Sequence, residues 1–290
     1  MHPGVLSAAL AYVCWGLFPL YFKLLGDLPS LLVVAHRVVW STAFLLVVLA
    51  ARSQWRWLGD VARRPKVLGA FALSALLLSA NWLVYIWAVA HGQILDASLG
   101  YFITPLVNVL LGCTVLHERL RPMQWTAVAL AGAGVLWLAL QGGQLPWVAL
   151  VQGCTFGAYG LLRKTAVLGA LEGLALETML LVPPAGVLLA WAAWRGAGAF
   201  PAASGLTDAL LVGLGPVTAI PLLLFAAGAR RIRLATLGLL QYLAPSIQFV
   251  LGVWLFHEGF SLLRMVGFGL IWVALAVYSV DSWRAGSPRR

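Results

Sequence analysis

Charged and amide side chains are rare in this sequence, so the few that interrupt its apolar runs are the first candidates for chemistry. Arg37, preceded by His36, stands about seven residues into the apolar run 30–51, roughly 10 Å deep at the helical rise of 1.5 Å per residue. A charge at that depth is costly. A guanidinium there could clamp a carboxylate or phosphate through paired N–H groups, or it could snorkel to the interface or bond a helix carbonyl. Glu177 lies 140 residues further on, inside another apolar run. It could carry a coupling proton, or it could be a solvated residue near the end of its helix.

Amides and aromatics give a second pattern. Tyr101, Thr104, Pro105, Asn108 and Gly112 recur at i, i+3, i+4, i+7 and i+11, which is one face of a helix. Gln241, Pro245, Gln248 and Gly252 repeat much of that stripe, and Asn81 and Tyr85 stand four apart beside Trp82. Amides in hydrocarbon need partners, so these faces should look into a bundle. They could line a solute cavity, with Pro105 and Pro245 as hinges that free backbone carbonyls, or they could bond helix to helix. Glu118 and Glu258 end two apolar runs beside Arg119 and His257 and read as helix-end hydrogen-bonding or gate residues. A solvated loop carboxylate is the alternative.

The elements that hold these residues follow from composition. Of 290 residues, 62% are hydrophobic and 10% charged, against about 25% charged in soluble domains, and the mean hydropathy is +0.94. Too few polar residues exist to cover a soluble exterior, so the exterior faces lipid. Runs long enough to span occur at 4–23, 30–51, 67–90, 95–117, 122–140, 146–164, 174–194, 207–227, 234–256 and 262–281. The first run has no basic segment ahead of it and reads as a helix, not a cleaved signal. Fifteen of the 19 Lys and Arg, among them Arg163 and Lys164, fall on one side if the N-terminus is cytoplasmic, a bias that fixes orientation. Both termini are then cytoplasmic.

A net charge of +10 might suggest nucleic acid, but the basic residues form short clusters between spans with no binding motif. The three cysteines, Cys14, Cys113 and Cys154, sit in apolar runs without metal or disulfide spacing. No HExxH, GxSxG or phosphate-binding loop occurs. An enzyme is therefore not expected, no cofactor is called for, and any driving energy comes from a gradient.

The chain also repeats itself. PLVNVLLGCTVLHE (105–118) aligns with PSIQFVLGVWLFHE (245–258) at an offset of 140, which also pairs Cys14 with Cys154 and Lys23 with Arg163. An odd number of spans per half means that the second half inserts upside down. The expected fold is an all-α polytopic membrane protein of ten transmembrane helices, a 5+5 inverted-topology repeat split as 1–141 and 142–290. Inverted repeats suit alternating access about a midplane site. They also occur in channels, and a channel or lipid scramblase on the same bundle is the competing class. Small residues at Ala131, Gly132, Ala133, Gly134, Gly267 and Gly269 would allow a homodimer face or close packing within the monomer.

The segments AHRVVWS (35–41), NWLVYIWAV (81–89), ASLGYFITPLVNVLLG (97–112) and LGLLQYLAPSIQFVLG (237–252) resemble the RarD branch of the EamA family, within the drug/metabolite transporter superfamily. The resemblance covers almost the whole chain. It implies a bacterial inner-membrane location and export or exchange of small metabolites, amino acids or amphipathic drugs. The family's Gly-Glu at the end of the fourth span is here His117-Glu118, which keeps the carboxylate and loses the glycine. Substrate-lining candidates are thus Arg37, Asn81, Trp82, Tyr85, Tyr101, Asn108, Gln241 and Gln248, with Glu177, Glu118 and Glu258 for coupling or gating.

Overall fold

The computed structural model describes residues 2–25, 28–53, 55–90, 94–140, 147–198, 200–201, 205–255 and 262–286. Its described residues are helical, with no strand among them. In chain order the helices are α1 (Pro3–Leu24), α2 (Ser30–Ala51), α3 (Arg56–Ala62), α4 (Pro65–Ala90), α5 (Ile94–Thr114), α6 (Pro122–Leu140), α7 (Trp147–Thr165), α8 (Ala170–Trp194), α9 (Gly205–Ala229), α10 (Leu234–Gln241), α11 (Leu243–Trp254) and α12 (Leu262–Gly286). Six of them, α1, α2, α4, α6, α8 and α9, are long and apolar enough to cross a membrane. In α5 and α12 the apolar stretches are shorter, Gly100–Thr114 and Met265–Asp281. In α7 the apolar run is interrupted by Gln152, Thr155, Arg163 and Lys164.

Two departures from the sequence expectation have local causes. The run expected as one span over 234–256 is broken at Tyr242 into α10 and α11. Pro245 lies in the first turn of α11, where its missing N–H costs no helical bond. Pro105, its counterpart, sits inside an unbroken α5. The second departure is α3, a seven-residue helix between α2 and α4 that buries only Val61.

Helices pack in a defined set of pairs: α5 on α7, α6 on α12, α2 on α8 and α9, α1 on α9 and on α11, α4 on α7 and on α8, and α10 on α5. Glycine sets the closest approaches. A Cβ on Gly153 or Gly157 would lie 2.7 and 2.6 Å from Ile103 and Val107, so α7 rides directly on α5. Close approach through small residues is how helices associate where lipid removes the hydrophobic drive. The small residues of α6 and α12 are partly used in the same way: a Cβ on Gly134 would stand 2.8 Å from the Gly267 carbonyl oxygen, whereas Gly132 and Gly269 face open space.

The centre of the bundle is aromatic. Tyr12, Tyr159 and Phe225 are fully buried, and Tyr159 stacks on Phe225 at 5.9 Å between ring centroids, 13° from parallel. Trp15 and Phe156 close the same cluster, with centroids 5.6 Å apart.

Candidate functional site

Above that cluster lies a cavity of about 390 Å³, within the range of small-molecule sites. Its walls come from α1 from Tyr12 onward, the second half of α4 and the first half of α2, α5 and α7, together with Leu25 and Leu28 between α1 and α2, Leu222 of α9 and residues either side of the α10–α11 break. It therefore occupies the end of the bundle where α1 finishes and α2 begins.

Arg37 is a cation on this wall, and among the described residues no Asp or Glu lines the cavity. The guanidinium lies over Trp82, 4.7 Å from the ring centroid, and near Phe22 and Phe18 at 5.7 and 5.9 Å. Such contacts hold a partly desolvated cation by the ring faces. Arg37 Nε donates to Thr218 Oγ1 on α9 at 3.1 Å. Thus α2 supplies the charge, α1 and α4 the rings, and α9 the acceptor.

Of the residues expected to line a cavity, Arg37, Asn81, Trp82, Tyr85, Tyr101, Gln241 and Gln248 all do so, with Thr104 beside them. The amides also bond between helices. Asn81 Nδ2 donates to the Gln152 carbonyl at 3.0 Å while Gln152 Nε2 donates to the Asn81 carbonyl at 3.2 Å, a reciprocal clasp of α4 on α7. Gln248 Nε2 donates to the Trp15 carbonyl at 3.1 Å. Lining and interhelical bonding, opposed as alternatives by the sequence, are here two uses of the same side chains. Asn108 is the exception: it is fully buried behind the wall and donates to Gln241 Oε1 at 3.5 Å, and its own Oδ1 is unpartnered.

Several wall residues escaped the sequence reading. Gln152 carried the same signal as Asn81, an amide in an apolar run. Phe18, Phe22, Phe156 and Tyr12 carried none, since an aromatic in a span is ordinarily packing.

Glu177 does not reach the cavity. It is fully buried, accepting from Ser74 Oγ at 2.5 Å and Tyr159 Oη at 3.3 Å, with Arg163 Nη1 at 3.5 Å. Arg163 was expected among loop charges. It instead lies in the last turn of α7, fully buried, and also donates to the carbonyls of Gly169 and Ala170 at 3.4 and 3.1 Å. The reason is pairing: a buried carboxylate recruits the nearest cation that can turn inward.

Glu118 follows α5, which ends at Thr114, just after a left-handed residue, His117 at φ 52°. The carboxylate then accepts the N–H groups of Leu234 and Ala235 at 2.8 and 3.2 Å. It thereby satisfies orphan donors at the start of α10. Lys164 Nζ is 3.6 Å from it and also donates to the Ile232 carbonyl. Gly112 leaves the space that Glu118 fills, since a Cβ there would be 2.8 Å from its Oε2. Arg121–Asp281, at 2.6 Å, and Arg233 Nη1 to the Arg119 carbonyl, at 3.2 Å, brace the same end. No residue of this end lines the cavity. Glu258 lies outside the described residues.

A helical bundle with an apolar exterior, here around a polar and aromatic cavity, defines a multi-pass membrane protein. Comparison with known proteins agrees. The model of the EamA-like transporter family matches residues 2–140. An uncharacterized transporter of Pseudomonas aeruginosa is 48% identical over 98% of this chain and 96% of its own. Protein RarD of Streptomyces exfoliatus is 45% identical over 99% and 91%, and Protein RarD of Escherichia coli K12 43% over 96% and 94%. A solved crystal structure shares the fold at a TM-score of 0.71, with 19% identity, covering 98% of this chain and 99% of that one. The chain belongs to the EamA family of transporters, in its RarD branch.

Proposed function

We propose that this protein is a secondary transporter that exports or exchanges small metabolites, amino acids or amphipathic drugs by alternating access across the bacterial inner membrane. The observation that carries this is the cavity's asymmetry. It reaches one end of the bundle; at the other the Glu118 brace ties α5, α7 and α10 together, and a smaller cavity there, lined by Lys66, Phe71, Ser74 and Arg163, shares no lining residue with it. A channel or scramblase needs a route through both ends.

Ten spans arranged as two inverted halves, 1–141 and 142–290, explain how the two ends exchange. Exchanging α1, α2, α4, α5 and α6 for α7, α8, α9, α10–α11 and α12 maps the larger helix pairs onto one another. Under that exchange α5 on α7 becomes α10–α11 on α1, α1 on α9 becomes α7 on α4, and α2 on α9 becomes α8 on α4, each of which occurs. Arg37 reaches from α2 to Thr218 on α9, and Glu177 from α8 to Ser74 on α4. Tyr242 Oη donates to the carbonyl of Phe102, its partner at the 140 offset, at 3.1 Å. These relations support the repeat. With both termini cytoplasmic, the cavity faces outward, and Pro105 and Pro245 are the hinges.

Counterflow in liposomes tests the function. Vesicles loaded with a mixture of small metabolites should take up labelled members of that mixture in a saturable, trans-stimulated manner. Flux that never saturates, or scrambling of a labelled lipid, would replace the transporter with the channel or scramblase.

A further inference from the structure

We infer that the solute held in the central cavity is a small organic monoanion with an apolar body, its carboxylate on Arg37, an inference that rests on the cavity being the transport site. Three observations meet here. Among the described residues the guanidinium makes one hydrogen bond, from Nε to Thr218, and no ion pair. Its terminal nitrogens, the pair that binds a carboxylate side-on, are left to the cavity. The buried carboxylate is treated differently: Glu177 has Arg163 against it and two hydroxyl donors. The fold therefore neutralises the buried charge of Glu177, and among the described residues it leaves Arg37 without a counter-ion.

Second, the charge is placed where a ligand can meet it. Trp82, Phe22 and Phe18 cover the guanidinium by their faces, which fixes its plane and lowers its contact with water. That strengthens its attraction for an anion and disfavours a cationic solute by like-charge repulsion. Third, the rest of the wall sets the ligand's size and kind. Trp15, Phe156, Leu78 and Leu222 are apolar, and the polar groups are amides and phenols. One cation matches one negative charge. A phosphate dianion would bring a second charge with no second cation on the wall among the described residues, so a carboxylate fits better than a phosphate monoester. Neutral polar groups on the ligand would find Gln152, Gln241 and Tyr101.

Binding of three probes of one shape and different charge decides this: phenylacetate, phenylacetamide and phenethylamine. The readouts are tryptophan fluorescence, with Trp15 and Trp82 on the wall, and thermal protection of the purified protein. Phenylacetate should bind saturably and at least about tenfold more tightly than phenylacetamide, the margin expected when one charge-assisted bond is lost, and phenethylamine should not bind. Arg37→Gln should abolish the difference between acid and amide. Thr218→Val, which keeps the charge and removes its Nε acceptor, should keep the acid preference at reduced affinity, so loss of the preference in Arg37→Gln is not a folding artefact. Equal binding of acid and amide, preference for the amine, no binding of phenylacetate, or an acid preference that survives Arg37→Gln would each overturn the assignment. Counterflow with the same probes separates the two readings. Movement of the amide without acid preference leaves a transporter and removes the anion site. Acid bound at Arg37 but never moved leaves the site and removes transport.

Discussion

Arg37 and Glu177 stand 140 residues apart at matching places in the sequence, and the fold treats them in opposite ways. Arg37 faces a cavity under three aromatic rings, whereas Glu177 is sealed against Arg163, Ser74 and Tyr159. The charges were legible in the sequence because a lone ionisable residue in an apolar run needs a reason. Their different fates were not, because Arg163 lies at a helix end, where a solvated charge is the ordinary outcome. Two substitutions separate the roles. Arg37→Ala should abolish counterflow while the protein still purifies as folded, monodisperse material; aggregation instead would make Arg37 structural. Arg163→Met should lower stability by about 3–5 kcal/mol, the cost of stranding a buried charge, read as a fall in thermal midpoint. Adding Glu177→Gln to Arg163→Met should restore most of that stability, and no recovery would mean that the two do not act as a pair.

At the scale of the helix, span limits were largely readable from length and hydropathy: α2 and α6 begin and end at the residues expected, and α1 and α7 differ by one. The break at Tyr242 was not readable, because Gln241–Leu243 offers no turn signal and Pro245 can lie in a continuous helix, as Pro105 does. Nor was the task of Glu118, which depends on α10 starting beside α5 in space. Glu118 ties three segments together by capping α10 and meeting Lys164. Glu118→Ala should cost about 0.5–2 kcal/mol, as loss of a helix cap does, measured by thermal or denaturant unfolding in detergent. Gly112→Ala should weaken the same cap from the other side by displacing the carboxylate. If Gly112→Ala lowers stability equally in a Glu118→Ala background, the glycine acts on packing alone and not through the cap.

At the scale of the molecule, one end of the bundle holds the larger cavity, the aromatic cluster lies at its floor, and an ionic brace ties the other end. Under the proposed inverted repeat that asymmetry has a meaning, since exchanging the two halves turns the closed end into the open one without a new fold. In the sequence the proposed repeat rests on a fixed offset of 140 between 105–118 and 245–258, whereas single contacts across the bundle leave no such trace. Spin-label distances across both ends, in lipid bilayers, test it most directly. Cys14, Cys113 and Cys154 would be replaced, with labels at Leu31 and Trp147 on the cavity end and Val115 and Arg231 on the braced end, all exposed positions. Alternating access predicts two distances at each end, with the long distance at one end accompanying the short distance at the other. Glu118→Gln should shift both pairs together toward a narrowed cavity end and a widened braced end. Simultaneous widening of both ends, or a braced end that never opens in either protein, would contradict it.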